Sequence, residues 1–244
     1  PLNTVGLERS EQRIEQLRLF DSLSRERGVK VTLQPPDPAE PEHRDVLIEV
    51  EETNTGDISF GGQVSSDAGF FGSISLTQRN FDITDVPDST GELLSGRAFR
   101  GGGQTFQIIA LPGTQVERYS ISLSEPYLRE TDYSGSISLN YRDRDFDNFD
   151  ERRAGVNFGL GRRFGTRWVG NATLRVEGVD LGSIPDDQPI DIVEAQGSNA
   201  IVGLGFRLSR RSIDRPFLPD RGSVTSVGVE QVVGDYEFTS LNAA

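Results

Sequence analysis

Most of this sequence alternates between apolar and polar positions. In residues 133–141, YSGSISLNY, alternate positions hold Tyr133, Ile137, Leu139 and Tyr141, and the positions between them hold mainly serine and asparagine. Successive side chains of a β-strand point to opposite faces, so the pattern predicts strands with one apolar and one polar face. Nine such segments and the start of a tenth are present, at residues 57–64, 70–78, 104–111, 116–124, 133–141, 154–161, 167–176, 199–209, 223–233 and 236–238.

The N-terminal part of the chain has a different pattern. In residues 8–19, ERSEQRIEQLRL, Ile14 and Leu17 share one face of a predicted amphipathic helix whose other face is charged. Residues 29–33 and 45–52 alternate and predict two strands. A helix followed by two strands is typical of a small α+β module. We therefore divide the chain into a module at residues 1–53 and a β-rich domain at residues 54–244.

Two folds fit the alternation in the second domain. A soluble β-sandwich would turn its polar faces outward, whereas a transmembrane β-barrel would turn its apolar faces to lipid and its polar faces to a wet interior. Strand length favours the barrel, because spanning takes about 9–11 tilted residues and ordinary strands average about 5–6. Aromatic residues near the predicted strand ends fit an interfacial girdle: Tyr119, Tyr127, Tyr133, Tyr141 and Trp168. The expected fold is mainly β: the first nine to ten strands of a larger antiparallel transmembrane barrel.

The connections between strands sort by charge. Residues 142–153 and 177–197 are rich in acidic side chains, whereas residues 162–167 and 209–222 are rich in arginine. A barrel whose strands run alternately up and down would place these two sets on opposite membrane faces. The long connection at residues 79–103 falls on the arginine-rich side and is mixed in charge.

Composition excludes several classes of function. The net charge of -13 argues against nucleic acid as a partner. Because the sequence contains no cysteine, disulfides and cysteine-based metal sites are excluded. It also contains no methionine, even at position 1, so we expect a processed chain or a piece of a longer protein.

No catalytic arrangement is visible in the sequence. His43 is the only histidine and has no serine or cysteine partner of the triad kind. Residues 143–147, DRDFD, lack the glycine and the twelfth-position glutamate of a calcium loop. The glycine-rich residues 96–104 lack the lysine of a phosphate loop and precede a strand. We predict no enzyme activity, no cofactor and no metal site.

Several motifs resemble one protein family when they are taken in order. Residues 49–81, EVEETNTGDISFGGQVSSDAGFFGSISLTQRNF, resemble the junction between the last POTRA module and the first two barrel strands of the BamA family. Residues 124–127, SEPY, resemble its Pro-Tyr periplasmic turn, and residues 214–222, DRPFLPDRG, resemble a later turn before a strand. The connection at residues 79–103 is longer than the family's short turn.

This resemblance implies an outer-membrane barrel preceded by periplasmic POTRA modules. Residues 1–53 would be the C-terminal part of a POTRA module, and residues 54–244 the N-terminal part of the barrel. The implied function is that of the core subunit that folds and inserts β-barrel proteins into the bacterial outer membrane. Its implied partners are unfolded outer-membrane proteins, periplasmic lipoproteins or chaperones that bind the POTRA module, and outer-membrane lipid. The alternative is a POTRA-barrel translocator similar to TamA or to two-partner secretion transporters.

The first barrel strand is the candidate site. It must close against the last strand of the barrel, and its small and polar residues supply little apolar contact, so it is expected to form a weak seam. An open strand edge pairs with an incoming strand through backbone hydrogen bonds, which place few demands on side chains. The predicted pairing residues for a client strand are Asp57, Ile58, Ser59, Phe60, Gly61, Gly62, Gln63 and Val64.

Overall fold

The protein divides into two compact units, Pro1–Asp57 and Ile58–Ala244. A computed structural model describes Ile14, Leu19 and residues 29–35, 44–50, 55–65, 69–94, 98–146, 149–185, 190–194, 196–213 and 221–244.

The first unit contains a short antiparallel pair of strands. Strand β1 spans Lys30–Leu33 and pairs with β2, Val46–Glu49. The ammonium of Lys30 lies 3.6 Å from a carboxylate oxygen of Glu49, its partner in the register. The helix predicted over residues 8–19 lies outside the described residues apart from Ile14 and Leu19. The POTRA assignment of residues 1–53 stays a prediction.

The second unit is one antiparallel sheet of ten strands in sequence order. The strands are β3 Gly56–Ser65, β4 Gly69–Phe81, β5 Gln104–Leu111, β6 Val116–Glu125, β7 Tyr133–Asp145, β8 Asp150–Phe164, β9 Trp168–Gly182, β10 Gly197–Arg211, β11 Val224–Gly234 and β12 Phe238–Ala243. Two short helices, α1 Thr90–Leu94 and α2 Ile190–Glu194, and a 3-10 turn at Leu128–Glu130 lie in the connections. Every predicted strand is present, and the tenth runs well beyond its predicted start.

Strands β8, β9 and β10 are longer than the sequence pattern predicts, with 15 residues each. The prediction that residues 142–153 form an acidic connection is wrong, because β7 continues to Asp145 and β8 begins at Asp150. The acidic stretch at 177–197 likewise begins inside β9, which ends at Gly182. Charged residues continue the pairing where the apolar alternation has ended, so the strands extend past the apolar band on this side of the sheet.

The outward face of the sheet carries rows of apolar side chains aligned by the strand register. One central row joins residues that pair directly across five neighbouring strands: Leu123, Ile137, Phe158, Leu174 and Leu204. Toward the end of the sheet where the acidic stretches lie, this face ends in a row of tyrosines, and a row of charged residues follows. Tyr119 and Tyr141 pair with ring centroids 6.2 Å apart. The next row joins Glu117, Asp143, Arg152 and Asp180.

In the other direction, the apolar face ends in aromatic and arginine side chains. Arg162 pairs with Gly170, and Phe164 pairs with Trp168 in the row beyond. From Ala154 to Phe164 the strand rises about 34 Å, which a tilt of about 40° reduces to roughly 26 Å along the barrel axis. That height matches the apolar band of about 25 Å that outer-membrane barrels present to lipid.

The inward face is polar and is crossed by a chain of ion pairs. Arg153 lies 2.7 Å from Glu151 and 3.2 Å from Glu177. Arg175 lies 2.9 Å from Glu177 and 3.0 Å from Glu230. We call these five residues the ion chain. It links β8, β9 and β11, so the last contact must pass over β10.

Gly203 allows the ion chain to cross β10. It pairs with Arg175 on one side and with Val232 on the other. A Cβ at this position would lie 2.5 Å from Oε1 of Glu230 and 3.4 Å from Nε of Arg175. Any larger residue would therefore displace the two charged groups from each other.

The long connection between β4 and β5 folds back on the end of β4. The Phe81 ring stacks on those of Phe99 and Phe106, with centroids 5.4 and 4.9 Å away. Asp82 accepts hydrogen bonds from the backbone N–H and the hydroxyl of Thr84, at 2.8 and 2.6 Å. The hydroxyl bond, followed by the backbone bond, lowers the pKa of the Asp82 carboxyl below its ordinary value. None of the helices in the described part of the chain has the length and apolarity needed to cross a membrane.

Arginine at Ile137 is expected to destabilise the protein much more than arginine at Ser136. Ile137 lies in the central outward row, and its neighbour Ser136 faces inward. A lipid-facing arginine at the bilayer midplane costs about 2–4 kcal/mol, whereas a wet interior accepts the charge. Urea titration of the full-length protein folded in vesicles, followed by heat-modifiable gel migration, measures the difference. Equal losses for Ile137→Arg and Ser136→Arg would contradict the assignment of the two faces.

Valine at Gly203 is expected to lower the free energy of unfolding by roughly 1–3 kcal/mol, because it overpacks the site and separates Arg175 from Glu230. Gly178→Val is the matched control, since the nearest atom to a Cβ there is the carbonyl oxygen of Ala154 at 3.9 Å. The same urea titration compares the two variants. A Gly203→Val protein as stable as Gly178→Val would show that the ion chain contributes nothing.

Candidate functional site

All eight predicted pairing residues lie in β3, which ends the ten-stranded sheet. Within the described residues, β3 pairs only with β4, so its other side is an open edge. Such an edge presents a row of backbone N–H and C=O groups with no partner in the sheet. In the bilayer these groups require another strand, because no water is present to satisfy them.

Two outward side chains of β3, Phe60 and Val64, are more exposed than any large apolar side chain of the interior strands among the described residues. The exposed fractions of Ile58, Phe60 and Val64 are 62%, 76% and 77%. Ile137 and Phe158, which face the same way within the sheet, are 39% and 45% exposed. The difference follows from position, since a β3 side chain has neighbours on one side only. Leu241 of β12, at the other end of the sheet, is 79% exposed for the same reason.

The inward side chains of β3 meet β4 through small polar groups. The hydroxyls of Ser59 and Ser75 are hydrogen-bonded at 2.7 Å. A Cβ at Gly61 would lie 2.6 Å from the hydroxyl oxygen of Ser73, so glycine permits close approach there. At Gly62 nothing lies within 4 Å of the Cβ position. On its inward side, this strand is therefore held by backbone pairing and a serine contact.

The structure adds Ser73 and Ser75 of β4 to the site. The sequence places both on the polar face of residues 70–78, but alternation alone does not show which strand residues meet across a hairpin. Their contacts with β3 identify them as the groups that hold its inward side.

The chemistry available at this site is backbone hydrogen bonding. Among the described residues, no group of three or more histidine, cysteine, aspartate or glutamate side chains could hold a metal ion. Asp143 and Asp145, from the calcium-like motif, lie in β7, and Asp147 lies outside the described residues.

Comparison with known families and structures decides the membrane assignment. The family model of the Omp85 superfamily domain matches residues 98–244, more than half of the chain. The chain belongs to the Omp85 superfamily. Members of this superfamily are outer-membrane β-barrels, so the apolar rows of the sheet face lipid and the ion chain faces the barrel interior.

Two solved structures share the fold. BamA from Haemophilus ducreyi, in a form lacking POTRA domains 1–3, has a TM-score of 0.68 and 17% identity over 99% of this chain and 45% of its own. CdiB from Acinetobacter baumannii has a TM-score of 0.57 and 14% identity over 97% of this chain and 42% of its own. The chain thus spans less than half the length of either structure. A search among curated proteins found no match.

These findings confirm the predicted fold class and the resemblance to BamA-type proteins. The ten strands are part of an outer-membrane barrel of the Omp85 superfamily. The BamA and CdiB likenesses show the fold only, so the role of β3 and the choice between assembly and translocation stay predictions.

Valine substitutions at the adjacent glycines Gly61 and Gly62 are expected to differ in their effect on amide exchange in β3. Gly61→Val forces Ser73 to shift and should weaken the pairing of β3 with β4, whereas Gly62→Val has open space. Hydrogen–deuterium exchange of the full-length protein in lipid nanodiscs measures the amides of β3. We expect exchange about tenfold faster than wild type for Gly61→Val, corresponding to about 1.4 kcal/mol, and no increase for Gly62→Val. Identical protection in both variants would contradict the close contact at Gly61.

Proposed function

We propose that this chain is part of a BamA-like assembly factor, which folds β-barrel proteins and inserts them into the outer membrane by pairing their strands with β3. The observation that carries the proposal is the way β3, the first strand of the sheet, meets its neighbour. Its inward residues Ser59 and Gly61 face Ser75 and Ser73 of β4 through small polar groups, which supports a loosely held first strand.

The energetics of the bilayer explain why an open strand would act as a template. Each unsatisfied N–H or C=O group in lipid costs several kcal/mol, so an unpaired client strand cannot enter alone. Pairing with β3 satisfies one edge of the client at the moment of entry. Edges of this kind are normally blocked because they recruit other chains. In an assembly factor, that recruitment is the function.

The composition of β3 suits clients of varied sequence. Backbone hydrogen bonds supply the affinity in strand addition, and side-chain pockets supply specificity. The inward side of β3 offers Ser59, Gly61 and Gln63, which are too small or too polar to select one apolar pattern. Glycine-rich strands also specify register weakly, so a client strand can shift along the edge.

Residues 1–53 are the proposed contact for periplasmic lipoproteins or chaperones. In the described part of this unit, β2 pairs with β1 alone, and all its residues are exposed. An exposed strand of this kind can accept an added strand in the same way as β3. This proposal is independent of the one for β3, since it concerns the other compact unit.

The second candidate function is export of a passenger protein through the barrel. The likeness to CdiB, with a TM-score of 0.57, supports it. The polar inward face and the ion chain would then line a conduit. The two functions differ in client range and in single-channel conductance, because a translocator serves a dedicated passenger and opens a pore, whereas a template serves many barrel proteins.

Cysteines at Ser59 and Gln63 are expected to form disulfides with cysteines in the terminal strand of a stalled client barrel. Facing residues of paired strands have Cβ atoms about 4.5–5.5 Å apart, so slight movement allows the bond. This part of the protein has no native cysteine, which keeps the background low. The experiment uses full-length protein in membranes and detects the adduct by non-reducing gel electrophoresis.

Ser138→Cys is the matched control for crosslinking. Ser138 also faces inward, but β7 is paired on both sides, with β6 and β8. Adducts at Ser59 and Gln63 but not at Ser138 are the expected result. If an active complex with a stalled client gives no adduct at either β3 position, templating on β3 is wrong. Adducts with one passenger only would instead favour the translocator.

A further inference from the structure

The outward face of β9 contains a gap in the apolar rows. Its outward residues run Trp168, Gly170, Ala172 and Leu174, so two small residues lie between two large ones. Large side chains on the neighbouring strands flank this gap. Most lipid-facing positions of the interior strands carry large apolar side chains, so the gap forms a groove.

The strand register defines the walls of the groove. Ala172 pairs with Leu160 of β8 and with Phe206 of β10. Gly170 pairs with Arg162 and Leu208 in the same way. The flanking strands are about 10 Å apart, since each strand spacing is about 4.8 Å. The groove is part of a mainly apolar cavity of about 500 Å³, which continues over β11 and β12 to Val227, Val229 and Leu241.

An arginine lies at the end of the groove nearest the membrane boundary. The guanidinium of Arg162 is 5.0 Å from the ring centroid of Tyr133 and 5.2 Å from that of Phe164. Across the groove, the guanidinium of Arg210 is 5.8 Å from the ring of Trp168. Neither arginine makes an ion pair with any carboxylate of the described residues. Two cations with no carboxylate partner among the described residues therefore lie on the lipid-facing surface, at the depth where interfacial aromatics begin.

We propose that the groove is a binding site for one phospholipid, with an acyl chain over Gly170 and Ala172 and the phosphate at Arg162 and Arg210. Charge complementarity supports this occupant, because arginine binds phosphate oxygens through paired N–H donors. The aromatic rings hold the guanidinium of Arg162 in place before the lipid arrives, which reduces the entropy lost on binding. The site differs from general lipid contact because it combines a shaped apolar floor with fixed cations.

The occupant is a glycerophospholipid of the periplasmic leaflet. The groove opens at the end of the sheet that carries the connections 165–167 and 212–223. The turn at Pro126-Tyr127, which resembles a periplasmic turn, lies at the same end of the sheet, so we assign this end to the periplasm. This proposal does not depend on β3, which lies five strands from β8, at the end of the sheet. Failure of strand templating would leave it intact, and the reverse also holds.

Native mass spectrometry of the full-length protein, purified with phosphatidylglycerol, tests the site. We expect the Arg162→Gln, Arg210→Gln double variant to retain about tenfold less phosphatidylglycerol than wild type. Ala172→Phe fills the groove and should produce a similar loss without changing any charge. Arg162→Lys keeps the positive charge and should retain an intermediate amount. Heat-modifiable migration on gels confirms that each variant is folded.

The control variant is Arg152→Gln, which removes an outward arginine from the other end of the same strand, β8. It should retain phosphatidylglycerol as wild type does. Equal retention by all variants would mean general lipid contact only and would overturn the proposal. Equal retention of diacylglycerol, which lacks a phosphate, would overturn the role of the arginines. Preferential displacement by lipid A would overturn the choice of a phospholipid.

Discussion

The need to satisfy every backbone hydrogen bond inside a bilayer governs this structure. Lipid offers no partner for an N–H or C=O group, so strands can cross only when each is paired along both edges. The sheet meets this need with ten strands joined to their sequence neighbours, which leaves only the outer edges of β3 and β12 without a partner among the described strands. In a closed barrel both edges meet a further strand, so the proposed role of β3 depends on how loosely that outer partner is held.

The same constraint explains the two faces. Once the backbone is paired, the outward side chains must be apolar to meet lipid, while the inward ones are free to carry charge. The ion chain uses that freedom, and its buried member Glu151 is only 8% exposed. An exposed ion pair contributes little to the free energy of unfolding. The residues of the ion chain are partly buried and share partners, so removal of one of them lowers that free energy more. Placing them across β8, β9 and β11 favours one register in the part of the sheet that must not open.

The alternation in the sequence was sufficient to predict every strand of the sheet and which residues within each predicted segment share a face. It failed at residues 142–145, because charges there replace the apolar residues while the backbone continues to pair. Arg142 still faces inward and Asp143 still faces outward, so the period of two persists without any hydrophobic signal. The β9 groove and the contact across Gly203 were also beyond prediction, since both depend on which residues of three adjacent strands stand side by side. For the candidate site, the sequence predicted β3, whose role stays a prediction, and the contacts of β3 with the serines of β4 required the structure.

A comparison of Gly203 and Gly61 shows that the effect of a missing side chain depends on where its strand lies in the sheet. Gly203 lies in a strand paired on both sides. Its missing side chain lets Arg175 of β9 reach Glu230 of β11 across β10. Gly61 lies in the end strand, where its missing side chain allows a close approach to Ser73, and nothing packs from the open side. Glycine therefore supports an ion pair across β10 in one region, whereas in the other it leaves the inward side of β3 held by backbone pairing and a serine contact. Under the proposed templating on β3, exchange of its outer partner would leave the ion chain undisturbed, because that chain joins β8, β9 and β11 at the other end of the sheet.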